Sequence, residues 1–319
     1  MKKHFKPILF LFAVSLIFTE LLTGNMSIVE FINPIIFIMV VIAGYGLPIL
    51  LIREYAIRWN LGIVGLFLMG LAYGIYNEGL MAKTILLTEN VPIENFDGYV
   101  TILGVNIAWA VLIVVWHALN AVIYPILLTW YFYPNQYKEV WLSTKVKNGI
   151  SIFLIIVASL LFFGEEANGV VGTIPHFILF VISMAVLILL AKMSTGKVMI
   201  ETTVSQQRIK QVFFGGLFLV LFLLVSAILA QNNIPAAVII AFIGLLIVWV
   251  YKVFQKKKLF TVSNILTFGI GSYMAQTSLG IIWVPDPVRI ITMIIILIIL
   301  AILLRKIFKD GEGKLVEGR

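Results

Sequence analysis

The chain contains ten apolar runs, and each is close to the length that a helix needs to cross a lipid bilayer. A spanning helix takes about 20 mostly apolar residues, because its backbone groups must hydrogen-bond within the segment in hydrocarbon. The runs lie at 7–24, 35–57, 61–87, 102–132, 149–164, 174–194, 212–231, 235–254, 260–280 and 288–308. The sequence therefore predicts an all-α protein, a polytopic transmembrane helix bundle of about ten spanning helices.

The composition supports a membrane protein and excludes several soluble classes. Hydrophobic residues make up 61% of the chain and charged residues 12%, whereas soluble domains have about 45–50% and about 25%. The chain has no cysteine and three histidines, which excludes disulfides and thiolate metal sites and leaves few imidazole ligands for zinc. We expect a multi-pass protein of the cell membrane whose partner is the lipid bilayer.

The net charge of +8 does not predict a nucleic-acid site, because the basic residues lie in short clusters between the apolar runs. If the N-terminus is cytoplasmic, the segments on that side hold all of the 23 Lys and Arg residues except Lys83 and Arg289. This pattern follows the positive-inside rule and predicts that both termini are cytoplasmic. Glu20 interrupts the first run and no Ala-x-Ala site follows, so we expect a retained helix rather than a cleaved signal peptide.

The two parts of the chain differ in where they carry polar residues. Intramembrane ionisable side chains are confined to the first four runs, and such groups are costly in a bilayer unless they are paired or wetted. We therefore predict an N-terminal transmembrane bundle at 1–134, made of helices one to four with an intramembrane polar cluster. Residues 135–319 are predicted to form a C-terminal transmembrane bundle of helices five to ten with a short basic cytoplasmic tail.

The third run contains the stretch LMGLAYGIYNEGLMAKTILL at 68–87, which places Asn77, Glu78 and Lys83 inside a membrane span. At 1.5 Å per residue, Glu78 would lie roughly 13 Å below the outer end of this helix. Gly70 and Gly74 share its side of the helix and would let another helix approach closely. Lys83 lies nearer the outer end, where we expect its long side chain to extend outward.

The fourth run carries a polar stripe. Asn106 and His117 are eleven residues apart, which is only about 20° around a helix, so they share a face with Asn120. Such a stripe faces protein or a cavity rather than lipid. Counted from the outer end, His117 would lie roughly 20–24 Å deep, well below Glu78. We expect Glu78 to face the interior of helices one to four, near Asn106 and Glu20.

The second run carries two further features. Its stretch GYGLP, at 44–48, is expected to kink the helix in mid-membrane, because proline lacks an N–H and clashes with the preceding turn. Arg53 and Glu54 follow near the cytoplasmic end, where we expect them at the interface with water.

The order Asn77-Glu78, a basic residue, and then a helix with a histidine and a nearby asparagine resembles the CAAX-protease and bacteriocin-processing family of intramembrane proteases. That family carries two adjacent glutamates, an arginine four residues after the second, and histidines and an asparagine on later helices. Here Asn77 occupies the first glutamate position and Ala82 the arginine position. The resemblance implies a polar membrane cavity with Glu78, His117 and Asn120 as catalytic residues, where the glutamate would activate water for peptide hydrolysis.

Two other functions remain open. A proton- or cation-coupled small-molecule transporter would use Glu78 as its ion site. A structural or accessory subunit would use the asparagines only to link helices, and would pair Glu78 with Lys83. The block YG…IRE…AYGIYNEG also looks similar to stretches of uncharacterised prokaryotic membrane proteins, which implies no activity. The sequence leaves the substrate, any metal or other cofactor, and any protein partner unknown.

Overall fold

The computed structural model describes residues 2–26, 29–30, 33–34, 37–99, 101–164, 169–195, 208–283 and 286–316, and they form a bundle of helices. The first four helices each include a π-helical stretch, in which the backbone bonds run from residue i to i+5. They are α1 (Phe5–Leu16, then π-helix Ile17–Leu21), α2 (π-helix Phe37–Gly46, then Leu47–Arg58), α3 (Ile63–Ile75, then π-helix Tyr76–Met81) and α4 (Ile107–His117, π-helix Ala118–Ile123, Tyr124–Phe132).

Among the described residues, only one of the other six helices includes a π-helical stretch. These six are α5 (Thr144–Phe163), α6 (Ile174–Met193), α7 (Arg208–Val220, π-helix Leu221–Val225, Ser226–Gln231), α8 (Ala236–Lys256), α9 (Val262–Trp283) and α10 (Pro287–Val316). The bounds of these six lie within a few residues of the predicted runs, except that α5 begins at Thr144, five residues early, and α10 extends beyond its run. The prediction of an all-α transmembrane bundle is confirmed.

Within the described residues, nine helices, α2 to α10, are long and apolar enough to cross a membrane. Helix α1 has 12 residues and its π continuation five, which gives a length of about 25 Å against a hydrocarbon thickness of about 30 Å. It therefore stays a prediction that α1 crosses the membrane, that the chain has ten spans and that both termini are cytoplasmic.

The segment between α3 and α4 differs from its prediction. Helix α3 ends at Met81, and Lys83 follows in the left-handed region at φ 58°. The described residues of the segment 82–106 then form a folded loop rather than helix, with 3-10 turns at Thr84–Leu86 and Glu94–Phe96 and a hairpin of β1 (Thr101–Ile102) and β2 (Val105–Asn106). Many side chains of this loop are apolar and are buried inside the protein. The ends of the segment are therefore similar in hydropathy to a membrane-spanning helix, which is why the predicted runs extended into them.

Helices α3 and α4 are in close contact, as the two glycines of α3 predicted. A Cβ added at Gly70 would lie 2.7 Å from Cα of Ala118, and one at Gly74 would lie 2.7 Å from Cα of Val114. Real Cβ atoms do not approach a backbone that closely, so only glycine allows this spacing. The pairing of Gly70 with Ala118 and of Gly74 with Val114 means that α3 and α4 run antiparallel at this contact.

Helix α9 joins the first four helices to the second part of the chain. The Tyr273 hydroxyl donates to the Asn120 carbonyl at 3.1 Å, and Gly269 lies against the ring of Tyr124. On another face, Ser272 Oγ donates to the Gly215 carbonyl of α7 at 2.8 Å. The division of the chain at residue 134 stays a prediction, and α9 contacts both of its parts.

Arg53 and Glu54 are fully buried in the protein, so their predicted place at the water interface is wrong. Arg53 Nη1 lies 2.7 Å from Glu54 Oε1, and Nη2 donates to the carbonyls of Gln136 and Tyr137 at 3.1 and 2.8 Å. The guanidinium lies 3.6 Å from the centre of the Trp141 ring, and the Trp141 N–H donates to Glu54. The connection between α4 and α5 folds over this end of α2 and provides hydrogen bonds to both charged groups, while Arg53 Nε has no hydrogen-bond partner among the described residues.

Candidate functional site

Glu78 and His117 face each other across the α3–α4 contact. Glu78 Oε1 lies 3.3 Å from His117 Nε2, and the two residues are 8% and 2% exposed. His117 Nδ1 lies 3.0 Å from the Ile113 carbonyl. A carbonyl only accepts, so the ring proton is on Nδ1 and the Nε2 lone pair faces Glu78. The Glu78–His117 contact has the distance of an ion pair, without the alignment of a hydrogen bond.

The depth difference expected between Glu78 and His117 is wrong. Helix α4 begins at Ile107 rather than 102, which brings His117 about 7.5 Å nearer its outer end. Helix α3 also ends six residues earlier than predicted, so Glu78 lies in its last turn, under the loop at 82–106.

The loop at 82–106 provides the next partners of Glu78. The Thr84 hydroxyl donates to Glu78 Oε2, and Trp109 Nε1 lies 3.2 Å from the Thr84 oxygen. Asn106 accepts from the Trp109 N–H at 3.2 Å and so caps α4, while its own amide donates to the Phe96 carbonyl. The prediction that Asn106 lies on a helical stripe is therefore wrong, because it ends β2 and caps the helix. It is linked to Glu78 through Trp109 and Thr84.

A second carboxyl lies on the other side of His117. The Tyr45 hydroxyl of α2 donates to Glu20 Oε1 of α1. The Tyr45 ring lies parallel to the His117 ring, with centroids 6.5 Å apart. Glu20 is half-buried and close enough to both His117 and Glu78 to interact with them electrostatically. The expectation that Glu20 lies near Glu78 is thus met through Tyr45 and His117.

The tyrosines of α3 satisfy carbonyls of α2 that Pro48 leaves without a donor. Proline has no N–H, so the carbonyl that this N–H would reach loses its helical donor, which is Gly44 in an α turn or Ala43 in a π turn. The hydroxyls of Tyr73 and Tyr76 donate to these carbonyls at 2.8 and 3.1 Å. Asn77 in turn donates to the Tyr73 oxygen at 2.8 Å, a bond within α3, so its predicted role in linking two helices stays a prediction.

Each of the four π-helical stretches in α1–α4 carries or adjoins a member of this cluster. Characteristic i→i+5 bonds link Leu22 N to the Ile17 carbonyl at 2.9 Å and Ala82 N to the Asn77 carbonyl at 2.8 Å. A π turn widens the helix and frees carbonyls, and such turns occur frequently at functional sites. The cluster members within or beside the four stretches are Glu20, Tyr45, Glu78 and His117.

Two predicted site residues do not join the Glu78–His117 pair. Asn120 is buried and its amide donates to the Trp116 carbonyl at 2.9 Å, while its side-chain oxygen has no hydrogen-bond partner among the described residues. Lys83 is fully buried, and its Nζ donates to the Gly164 carbonyl at 2.6 Å. The prediction that Lys83 extends outward is wrong, because the chain reverses at this residue and its side chain spans the gap to the end of α5.

Two members of the site, Thr84 and Tyr45, were not indicated as site residues by any sequence pattern. Thr84 lies six residues after Glu78, and it reaches back only because α3 ends in a π turn followed by the left-handed Lys83. Tyr45 lies within the GYGLP stretch, where only the glycine–proline pattern indicated a feature. Within the described residues, no group of three or more His, Asp or Glu side chains could hold a metal ion.

The arrangement can bind and move protons. Thr84 donates to Oε2 of Glu78 and Oε1 faces the lone pair of His117 Nε2, so a proton carried on Oε1 can reach the imidazole after a small rotation of either side chain. Transfer of that proton gives a carboxylate beside an imidazolium, a pair that stays overall neutral in a low-dielectric interior. Glu20, behind Tyr45, is a second group that can take up a proton.

Comparison with known proteins identifies the chain as a multi-pass membrane protein without naming an activity. No curated protein and no solved structure matches it. The resemblance to the CAAX-protease family therefore stays a prediction. One family model matches residues 9–309, a range that includes the polar cluster and nearly all of α1–α10. The chain belongs to the family described by that model as an uncharacterized membrane protein family.

Proposed function

We propose that this protein is a proton-coupled carrier of a small molecule in the cell membrane, in which the Glu78–His117 pair binds and releases the coupling proton. The observation that carries the proposal is the contact of 3.3 Å between a carboxyl and an imidazole inside the bundle. Ionisable residues inside a membrane commonly form proton relays. A purely structural pair would not need the second carboxyl of Glu20 behind the same imidazole.

The proton has a path whose bonds balance at each step. Glu78 Oε1 gives its proton to His117 Nε2, which leaves a carboxylate that still accepts from Thr84. When the imidazolium releases a proton and returns to its neutral form, Glu20, whose carboxylate accepts from Tyr45, is the second group of the cluster that can take up a proton. Glu20 is half-buried whereas Glu78 and His117 are buried, so we assign to Glu20 the exchange of a proton with the outside of the bundle.

The helix breaks support a carrier as well. Transporter sites near the bilayer midplane are typically formed by discontinuous helices, whose unwound segments expose carbonyls to the substrate or coupling ion. Here α1, α2, α3 and α4 are each interrupted by a π stretch at the cluster. A π turn can shift to an α turn at the cost of few hydrogen bonds, which provides a means of changing the shape of the site.

The proposal is tested with purified protein in liposomes that contain a pH-sensitive dye. A panel of amino acids, sugars, nucleosides and organic ions is added outside, and solute-dependent proton entry is recorded. We expect at least one solute class to drive proton entry, and the substitutions Glu78→Gln and His117→Gln to reduce it more than tenfold. Glu139→Gln, which changes an exposed carboxyl outside the spans, is the control and should transport normally.

Two outcomes would contradict the carrier. If Glu78→Gln moves protons as well as the wild type does, the pair is not the proton site. If no solute drives proton entry, while Glu78→Gln lowers the thermal stability of the protein, the cluster has the structural role that the sequence left open.

A second candidate is an intramembrane hydrolase, and the same Glu78–His117 contact favours it. In that role the Glu78 carboxylate would take a proton from water, whose oxygen attacks a peptide carbonyl, and His117 would return a proton to the leaving amine. Incubation with quenched fluorescent peptides in lipid nanodiscs tests this directly. Cleavage that is lost in both Glu78→Gln and His117→Gln would establish the hydrolase and displace the carrier.

A further inference from the structure

An apolar cavity of about 420 Å³ lies away from the Glu78–His117 pair, between α3, α4, α7, α8 and α9. Its size falls within the range of about 300–1,000 Å³ that is usual for ligand sites. Its wall is almost entirely apolar and is rich in rings, which are Phe67, Tyr124, Phe218, Tyr251, Phe254 and Phe260. Such a wall suits a hydrocarbon chain and offers little to a polar solute.

The rings of α8 and the start of α9 form a continuous side of this cavity. Tyr251 and Phe254 lie with their centroids 5.5 and 5.7 Å from that of Phe260. Phe254 also contacts Phe268 edge-on at 5.4 Å. These contacts hold the two helices apart by the width of aromatic side chains, so the cavity is shaped by the packing around it.

Three exposed lysines lie at the turn that joins the same two helices. Lys256, Lys257 and Lys258 stand between Phe254 and Phe260, both of which line the cavity. Lys258 adopts the left-handed conformation at φ 53°, which reverses the chain. A basic turn next to an apolar cavity at one membrane face pairs a hydrocarbon site with a site for negative charge.

We propose that this cavity and the 256–258 turn form a binding site for an anionic phospholipid of the bilayer, with one acyl chain in the cavity and the phosphate headgroup at the lysines. The positive charges of the 256–258 turn favour a lipid with a negatively charged headgroup. A zwitterionic lipid would fill the cavity equally well but would gain little from three cations, whereas basic pockets between helices at the cytoplasmic face bind anionic headgroups. The site is separate from the proton pair and does not depend on the proposed carrier function.

The test is native mass spectrometry of delipidated full-length protein titrated with phosphatidylglycerol or phosphatidylcholine. We expect phosphatidylglycerol to bind at least tenfold more tightly. The triple variant Lys256→Gln/Lys257→Gln/Lys258→Gln should lose that preference. A matched triple variant, Lys6→Gln/Lys138→Gln/Lys145→Gln, removes three exposed lysines from the same predicted membrane face and should keep it.

The apolar half of the site is tested separately. Val248 lines the cavity and is 47% exposed, whereas Val186 of α6 is 49% exposed and lies outside the cavity lining. Val248→Trp should weaken phosphatidylglycerol binding at least tenfold, and Val186→Trp should leave it unchanged. Equal affinity for the two lipids, retained binding in the 256–258 variant or in Val248→Trp, or displacement of the lipid by millimolar inorganic phosphate alone would overturn the proposal.

Discussion

Helices α2–α4 and helices α5, α6 and α8 are all apolar enough to cross a membrane, but they differ in what surrounds them. In α2, α3 and α4, 61%, 67% and 83% of the most apolar window is buried inside the protein, against 17%, 11% and 22% in α5, α6 and α8. Every predicted site residue except Glu20 and Lys83 lies on α3 or α4 or at the start of α4. Polar side chains are thus found where neighbouring helices, rather than lipid, surround them.

Helix α9 belongs with the first group by burial although it is distant in sequence. It is 56% buried over its most apolar window, and its Gln276 accepts from the Trp116 indole of α4 at 3.3 Å. The polar residues Asn264, Thr267 and Ser272 of α9 are buried, so they too lie where other helices surround them. Four comparisons of matched variants test this difference between the two groups of helices.

The largest effect is expected at the buried ion pair of α2. Arg53→Met leaves Glu54 without its closest counter-ion and frees the carbonyls of Gln136 and Tyr137. Removing one partner of a buried pair costs about 3–5 kcal/mol of folding free energy. The control Arg289→Met breaks a half-exposed pair with Glu30 and should cost no more than about 1 kcal/mol. Unfolding in mixed micelles measures both, and equal losses would contradict the buried role of Arg53.

The second comparison concerns two mid-helix glycines. Gly74→Ala introduces a Cβ against the backbone of Val114 and should destabilise by about 1–3 kcal/mol, as overpacking does. A Cβ at Gly244 of α8 meets no atom within 4 Å, so Gly244→Ala should be neutral or stabilise by about 0.5–1 kcal/mol through helix propensity. Unfolding of the two variants under identical conditions measures the difference in their free energies of unfolding. If Gly74→Ala were as stable as Gly244→Ala, α3 and α4 would not be in contact.

The third comparison tests the hydroxyls that replace the missing proline donor. Tyr73→Phe and Tyr76→Phe each leave a buried carbonyl of α2 unpaired, and each should cost about 1 kcal/mol. Tyr251→Phe removes a half-buried hydroxyl from α8 and should change stability by less than about 0.5 kcal/mol. The same unfolding assay resolves the differences. In the Pro48→Ala variant, residue 48 has an N–H that can donate to the Gly44 carbonyl, so Tyr73→Phe should lower the free energy of unfolding less there than in the wild type. An equal loss in both backgrounds would contradict the interpretation.

The smallest effect is expected at an exposed contact. Lys3 Nζ lies 2.8 Å from Glu139, and this hydrogen bond holds the pKa of Glu139 below its usual value of 4.5. The folded state therefore keeps the carboxylate charged where the unfolded state binds a proton. This stabilisation is present above the usual pKa and is lost as the pH falls below it. Thermal unfolding between pH 6 and pH 3 should show a slightly steeper loss for the wild type than for Lys3→Gln; parallel curves would contradict the pairing.

The sequence predicted the helices well because twenty apolar residues in lipid permit little other than a helix. It failed between Met81 and Ile107, where an apolar segment folds as a loop inside the protein. Hydropathy does not distinguish burial in protein from burial in lipid. For the same reason Lys83 was expected at the end of a helix, and Asn106 was expected on a helical face rather than at a cap.

The members of the site were partly visible in the sequence, but their arrangement was not. Glu78 and His117 were singled out because ionisable groups are rare in a span. Their contact depends on the approach of Gly74 to Val114 and on the true ends of α3 and α4, which no single span reveals. Thr84 and Tyr45 act through the shape of the backbone at a π turn and beside a proline, and residue type alone does not indicate that role. Arg53 and Glu54 were misplaced because a distant connection covers them.

The most direct test of the account is the distance between the side chains of residues 78 and 117. Solid-state NMR with ¹³C-glutamate and ¹⁵N-histidine, in lipid and at neutral pH, measures the coupling between Glu78 Cδ and His117 Nε2. The account predicts a separation of no more than about 4.5 Å, since a carbon–oxygen bond of about 1.2 Å adds to the 3.3 Å contact, and the signal should vanish in Glu78→Gln. An identical signal in wild type and Glu78→Gln, or none in either, would contradict it.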